Sequence, residues 1–446
     1  MLPKPRHAVR LTQLVGSKGI ERIEGNRGAG ITMSDSGVGG LFYDPERWRD
    51  MDAWHTEVAE LRRDTPVLRV EDEGFAPFWV LLRHEDVFAV SRDDAHWKNT
   101  SASILGPDAA DAEAAANGII ARSLVHLDDH EHTVHRKVTS DWFKPAALKD
   151  RQPRIDEIAD EFMARMRQFG GACDFAADIA KPYTLHVIMD IFGLPESDEP
   201  LMMELTQGIF GANDPEYMGE ESDPGLRILQ SVQTFVEYFD KLTADRRACP
   251  AGDLATVIAN GEVDGHPMGD IERFWYYLIV ATAGHDTTSF ALGGGVQALL
   301  EYPDQWDALK GADDSAINRA ADEIIRWTTP VRHFLRHATE DMEIRGVEIP
   351  AGGRVLLCYP SANRDEAVFV DPMRFDVNRA DADRLLSFGV GEHFCLGAQL
   401  ARRELRAFLR RMVDQLVDME SAGTPEWSLS HFVSGVKHLP ITYRFA

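Results

Sequence analysis

Between Pro267 and Pro303 the chain runs through residues 270–301 without a proline. One helix over this stretch has about 30 residues and spans roughly 45 Å at about 1.5 Å per residue. A rod of that length crosses a whole domain, so the rest of the fold has to be arranged around it. Its flanks are apolar: Phe274, Trp275, Leu278, Ile279 and Val280 on one side, Phe290, Leu292, Val296, Leu299 and Leu300 on the other. A helix apolar on all sides is buried. Yet His285, Asp286, Thr287, Thr288 and Ser289 occupy its middle. Burying such a cluster is costly unless it is hydrogen-bonded. Two readings stay open from these residues alone. One is a structural kink in which a threonine hydroxyl bonds the carbonyl one turn back. The other is an acid and an alcohol set beside a buried reaction centre to pass protons.

The surroundings of this rod read as mostly helical from residue 128 to 340, with apolar positions Ile158, Phe162 and Met166 repeating every four residues over 156–169. Strand signals come early, at 66–70 and 78–82, and late, at 343–350, 354–359 and 436–443. Residues 108–118, rich in Ala, Asp and Gly, read as a loop or loose helix. The expected class is α+β, mainly helical, with small sheets supplied by both ends of the chain. No repeat or linker divides it, so 36–446 reads as one domain of the 446-residue chain.

Residues 1–32 carry six basic and two acidic residues and no continuous apolar run. They are not a secretory signal. Residues 1–35 read as a disordered basic tail, or as sequence ahead of a later start at Met33, with targeting as the other reading. The most apolar central run, 274–284, is too short for a membrane span, which needs about 20 apolar residues. Acidic residues number 73 against 47 basic, a net charge of −26. That argues against general binding to nucleic acid or anionic membranes. The four cysteines, Cys173, Cys249, Cys358 and Cys395, are scattered without a CxxC pair, which suits a reduced, cytoplasmic protein.

One of them sits in a special place. The run Phe388-Gly389-Val390-Gly391-Glu392-His393-Phe394-Cys395-Leu396-Gly397 leads into a good helix over 398–411. Cys395 thus lies in a glycine-containing loop at a helix N-terminus. Free N–H groups and the helix dipole there favour the thiolate, which lowers the expected thiol pKa. A thiolate is a nucleophile or a metal ligand. The glycines allow close approach of a flat partner.

Phe388, Gly389, Gly391, His393, Cys395 and Gly397 together resemble the haem loop of the cytochrome P-450 family. The resemblance extends over 42–446 and implies a single P-450 fold, with a long central helix over haem b and small peripheral sheets. It implies that Cys395 is the metal ligand, the proximal thiolate of the haem iron. Ala283-Gly284-His285-Asp286-Thr287-Thr288 resembles the oxygen-activating motif. By that likeness Asp286 and Thr287 are catalytic, while Ala283 and Gly284 leave room for O2. Glu323-Ile324-Ile325-Arg326 resembles the family's ExxR pair, a structural element completed by a further arginine, Arg374 or Arg379. Haem propionates need cationic or N–H donors. The likeness offers His132 and Arg136 from the HxxxR helix, Arg336 after the ExxR helix, and His393. His135, His333 and His337 receive no role.

The resemblance is to soluble bacterial members that draw electrons from a ferredoxin and its NAD(P)H-dependent reductase, with terpineol hydroxylation the nearest likeness. The chain has no flavin or iron–sulfur motif of its own. Arg402, Arg403, Arg406, Arg410 and Arg411 form a basic run behind the cysteine, a candidate docking face for an acidic ferredoxin, or simply basic residues favoured by a helix C-terminus. The pocket implied by likeness includes the loop 101–123, Phe210, Val331, Leu335, Phe432 and Val433, apolar enough for a monoterpenoid or an aromatic hydrocarbon. The implied activity is monooxygenation. The alternatives are a peroxide-using peroxygenase, a haem-binding protein without turnover, and a Cys–His hydrolase.

Overall fold

The computed structural model describes residues 37–99, 102–108, 121–210, 214–217 and 224–446. Side chains at 209, 210, 224 and 225 lie outside that description, as do the expected tail at 1–35 and most of the loop at 108–118. The helices that matter here are α1 (Met51–Asp64), α2 (His84–Arg92), α3 (Asp129–Ser140), α4 (Pro145–Gln168), α5 (Lys181–Phe192), α6 (Glu199–Phe210), α7 (Pro224–Ala248), α8 (Asp270–Ala283), α9 (Asp286–Glu301), α10 (Asp314–Thr328) and α11 (Ala398–Gln415).

The periodicity seen in the sequence decides what each helix buries. On α4, Leu148, Ile155, Ile158, Phe162 and Met166 face the core, while outside Arg154 pairs with both Glu157 and Glu161. The helix starts eleven residues before the expected 156, running through Pro153. An interior proline removes one helical hydrogen bond. Here Leu148 and Ile155, on either side of it, are both buried in the main core.

The expected single central helix is two. Helix α8 ends at Ala283 and α9 starts at Asp286, with Gly284 and His285 between. Helix α9 is the centre of the molecule and packs against α5, α10 and α11. Its run Gly293-Gly294-Gly295 costs about 1 kcal/mol of helix propensity per glycine. What that permits is close approach: a Cβ at Gly294 would stand 2.7 Å from Thr328 Cγ2, and one at Gly295 2.7 Å from Ile324 Cγ2. Helix α10 therefore lies directly on α9.

The sheets do come from both ends of the chain. Strands β1 (Val67–Val70), β2 (Phe78–Leu81), β3 (Trp97–Lys98), β5 (His333–Ala338) and β6 (Arg354–Cys358) form one sheet in the order β1-β2-β6-β5-β3. Its central pairing, β2 with β6, is parallel and joins Phe78 to Arg354 and Leu81 to Leu357. Strands β4 (Ala172–Asp174), β7 (Leu416–Ser421) and β8 (Pro440–Phe445) form a second, in the order β7-β8-β4. The arm expected over 436–443 is split. Val436–His438 pairs with Glu426–Trp427, and β8 pairs with β7 and β4. Leu439 makes the break: its N–H donates to Asp174 Oδ1 and its carbonyl accepts from Phe175.

Candidate active site

The break between α8 and α9 is held from outside the helix. His285 is fully buried. Its carbonyl accepts from Thr184 Oγ1 at 3.1 Å, and its Nε2 donates to the Lys181 carbonyl at 3.1 Å. Its Nδ1 lies 3.2 Å from Thr206 Oγ1 and 3.3 Å from Asp286 Oδ1. Helices α5 and α6 thus capture the histidine and pull the backbone out of register. Thr287 Oγ1 donates to the Ala283 carbonyl at 2.7 Å, one turn back. That bond is the one expected of the structural reading, and it leaves the Thr287 hydroxyl on accessible surface. Along the same stretch Ile279, Val280, Ala283, Gly284 and Thr287 keep accessible surface while their neighbours are buried. That spacing is one helix face, and an accessible face in the middle of a core opens onto a cavity.

Lys181 and Tyr217 complete the surroundings of Asp286. The Lys181 ammonium is buried and donates to the Tyr217 hydroxyl at 2.8 Å. Burial lowers its pKa, and the Asp286 carboxylate is the leading influence that raises it again. Sequence reasoning passed over this pair. The signal was there: Lys181 is a lone charge in the run Ile179-Ala180-Lys181-Pro182-Tyr183.

The second patch is the loop before α11. Gly391 has φ +78°, and a Cβ there would stand 2.5 Å from the Ser91 carbonyl oxygen, so the loop needs glycine to lie against α2. Cys395 N–H donates to the Phe388 carbonyl at 2.9 Å. Its Sγ faces the N–H groups of Gly397 and Ala398. Cys395 has solvent-accessible surface although protein atoms crowd it on every side, which describes an atom on the wall of a deep concavity. The expected lowering of its thiol pKa does not follow. Burial raises it, and the two N–H groups together with Arg136 and Arg402 offset that only in part. A buried thiolate needs a cation at the sulfur itself.

Around this loop stand the predicted donors. His132, 1% exposed, bonds Glu392 Oε1 through Nδ1 at 2.8 Å, and its ring lies 4.3 Å from that of His393. Nε2 of His132 is buried without a hydrogen-bond partner. Nε2 of His393 is in the same state, since its nearest carboxylate oxygen, on Asp128, stands 3.6 Å away. Burial lowers the pKa of both rings. Arg136 donates to the Phe394 carbonyl at 2.6 Å, and buried Arg336 donates to that of Leu335 at 2.9 Å. Arg402 stacks over the Phe388 ring at 4.6 Å.

The ExxR pair is no surface pair. Glu323 and Arg326 are both 0% exposed and joined by two bonds, Nε–Oε2 at 2.6 Å and Nη2–Oε1 at 2.8 Å. The third member is Arg379, whose Nε lies 3.0 Å from Glu323 Oε2. Arg374 contributes only its carbonyl, which accepts from both Arg326 and Arg379.

The cytochrome P450 family model matches residues 55–432. The chain belongs to the cytochrome P450 family. Cytochrome P450-terp from a Pseudomonas species is 37% identical over 411 residues, 90% of this chain and 95% of that protein. A steroid C26-monooxygenase from Rhodococcus jostii is 31% identical, over 91% of this chain and 85% of its own length. The crystal structure of CYP108D1 from Novosphingobium aromaticivorans aligns with a TM-score of 0.84 at 38% identity, over 92% of this chain and 98% of that one. The mainly helical α+β expectation is thus the P450 fold, and the protein is an oxidoreductase of the P450 monooxygenase class.

P450 proteins bind haem b through a cysteine thiolate. The residues present fit that group. One accessible sulfur lines a concavity, and two unpartnered imidazole nitrogens and two arginines stand nearby to meet carboxylates. The other cysteines fit less well. Cys249 is on the surface, and burial pushes the thiols of Cys173 and Cys358 up to about 12.

Among the residues expected to line a pocket, Val331 forms an isolated bridge to Val433, and Phe432 is half-buried with its ring 5.3 Å from that of Phe334. Leu335 is fully buried beside Leu105 and Leu356. Strand alternation puts Phe334, not Leu335, on the Phe432 side. The side chain of Phe210 lies outside the described residues. The arginine run is mostly spent within the fold: Arg402 pairs with Asp322 at 2.6 Å, Arg410 with Asp314 at 3.2 Å, and Arg411 with Asp156 at 3.0 Å and Asp160 at 2.6 Å. Among the described residues Arg403 closes no ion pair and bonds Gln152 at 2.7 Å.

Proposed function

We propose that this P450 hydroxylates a small apolar substrate, a monoterpenoid or an aromatic hydrocarbon, using O2 and electrons from a ferredoxin served by an NAD(P)H-dependent reductase. The observation that carries the reading is Cys395 Sγ on the wall of a concavity, facing the Gly397 and Ala398 N–H groups at the start of α11. Cys395 would hold the iron of haem b, with those N–H groups tempering the charge on sulfur. His132, Arg136, Arg336 and His393 would hold the propionates. When bound, the haem supplies reductive activation of O2.

The chain's own part is to exclude water and place protons. Ala283 and Gly284, small and on the accessible face, leave room above the cofactor. Thr287 holds its hydroxyl proton toward the Ala283 carbonyl and presents the oxygen lone pairs to the same cavity. Asp286, next in sequence to Thr287 and close enough to the Lys181–Tyr217 pair to influence both, would bring protons to Thr287 from that side. Phe388 anchors the start of the cysteine loop by packing against the main core, and Gly397 contributes its N–H.

The substrate class rests on the apolar character of Val331, Phe334 and Phe432 and on the likeness to P450-terp; the steroid C26-monooxygenase is a reminder that relatives differ in what they oxidise. Cytoplasmic residence is part of the same proposal and draws on four free cysteines. No helix among the described residues is long and apolar enough to cross a membrane.

The test is a titration of the purified ferric holoprotein, following the Soret band for a low-spin to high-spin shift. One arm uses monoterpenoid alcohols and the other two- and three-ring aromatic hydrocarbons. A saturable shift in either arm supports the substrate reading and chooses between its two classes. No shift in either overturns it, and absence of a haem band overturns the role of Cys395.

A further inference from the structure

Two histidines without a role in this chemistry close on a single backbone residue. His333, on β5, is 1% exposed, and its Nε2 accepts the N–H of Leu105 at 3.2 Å. His431, in the turn before Phe432, donates Nε2–H to the Leu105 carbonyl at 2.8 Å. The rings lie 6.3 Å apart and 22° from parallel. Both polar groups of one residue are therefore taken by imidazoles, one as donor and one as acceptor. The partners assign the tautomers: an amide N–H can only meet a bare Nε2, and a carbonyl only a protonated one. Burial keeps both rings neutral, with the His333 pKa down at about 3.

The residue so held is an anchor of a longer segment. The Leu105 side chain is fully buried with Leu335 and Leu356. Two residues earlier the Ser103 carbonyl accepts from Leu335 N–H at 2.8 Å, and three residues later Asp108 N–H donates to Gly74 at 2.9 Å. Ser103 and Leu105 point into the core, while Ala102, Ile104 and Gly106 keep accessible surface. On the other side of the clamp, the His333 ring packs 5.7 Å from Phe432, which packs on Phe334. Three stretches far apart in sequence, 102–108, 331–335 and 431–433, meet at this pair of rings.

We propose that the His333–Leu105–His431 clamp positions residues 102–108 against the Phe334–Phe432 wall and so sets the width of the substrate cavity. The inference rests on the monooxygenase reading, since it gives the clamp a cavity to shape. The two histidines are positioning residues: they touch the backbone of the wall and act on the substrate through Ile104 and Phe432. A wall fixed at its backbone keeps one spacing, which favours a rigid, compact, apolar substrate over larger ones.

The holoenzyme tests this with His333→Leu and His431→Leu, which remove one partner each, and with His333→Gln and His431→Gln, whose amides can still accept or donate. Two readouts are taken. The first is the ratio of Soret-derived affinities for a monoterpenoid alcohol and a three-ring aromatic hydrocarbon. The second is amide hydrogen exchange in the peptide that contains Leu105. The leucine variants should lose roughly fivefold to tenfold of the wild-type ratio, the effect of one mis-set hydrogen bond, with KM raised and kcat near wild type. The Leu105 peptide should exchange faster while peptides from α9 and α10 do not. The glutamine variants should recover most of both. Unchanged selectivity and unchanged exchange in a folded leucine variant overturn the clamp. Faster exchange everywhere, or no recovery with glutamine, means a general packing role and overturns it equally. A wild-type protein with no saturable shift fails the proposed substrate reading instead, a different and visible outcome.

Discussion

Replacing Glu323 by glutamine isolates the energetics of the motif behind the haem site. The carboxylate takes two bonds from Arg326, at 2.6 and 2.8 Å, the Asp376 N–H at 2.9 Å, and lies 3.0 Å from Arg379 Nε. Glutamine keeps the size but turns one acceptor into a donor that faces a guanidinium, leaves buried Arg326 without its counter-charge, and leaves Arg379 with only Asp381, at 3.5 Å. Breaking a buried pair from one side costs about 3–5 kcal/mol. Total stabilities are about 5–15 kcal/mol, so the loss is a large share. With an unfolding entropy of about 2.1 cal/mol/K per residue, a chain of this size loses roughly 3–5 °C in Tm. Arg379→Met should cost more, because Arg379 also donates to the carbonyls of Val370, Asp371 and Arg374. Thermal melts followed by circular dichroism and by loss of the Soret band measure both. A Glu323→Gln protein that melts with wild type and retains haem fully would refute the account, since it would mean the buried carboxylate carries no net charge compensation.

Asp286→Asn should slow product formation about a hundredfold or more with the ferric haem spectrum unchanged; wild-type turnover would remove Asp286 from proton delivery. Arg403→Glu should weaken ferredoxin-driven turnover while leaving peroxide-driven turnover alone, whereas Arg402→Glu should chiefly lower Tm, because Arg402 is already paired with Asp322. Equal effects on ferredoxin-driven turnover from both would show that the internal pairing does not matter. His438 adds a pH-dependent element: burial works to lower its pKa, but hydrogen bonds to Asp174 and Glu216 raise it overall. A folded pKa above the unfolded value of about 6.5 makes the contribution fullest below that pH and lost as pH rises through the folded pKa. Urea titrations should therefore show wild type ahead of His438→Gln at pH 5.5 and level with it well above neutrality; a constant gap would contradict the ion pairs.

How much of this was readable in advance depended on how local each feature is. The cysteine loop and the His285–Thr288 cluster are compact in sequence, and each carries its chemistry within ten residues or fewer, so both could be picked out from residue types alone. The break in the central helix could not. Nothing inside residues 270–301 forces it; Thr184, Thr206 and the Lys181 carbonyl do, reaching from α5 and α6 to hold His285. The choice between Arg374 and Arg379 was equally out of reach, because both sit in the same irregular stretch and only the packing against α10 decides which guanidinium meets Glu323.

Charge misled the sequence reading in a consistent direction. The N–H groups at the start of α11 were visible from the loop–helix pattern, but the burial that outweighs them at Cys395 was not, so the expected thiol shift had the wrong sign. The arginine run behind it looked like a free basic face on an acidic protein. Arg402, Arg410 and Arg411 sit on one helix, the last two eight and nine residues after the first, and α4 and α10 bring acids to meet them. In a chain with 73 acidic and 47 basic residues, an arginine is more easily found by a carboxylate of its own fold than left for a partner. A docking face on such a protein is therefore to be sought among the cations that the fold leaves without an ion pair; on α11, among the described residues, these are Arg403, bonded to an amide and a carbonyl, and Arg406, whose Nε has no hydrogen-bond partner.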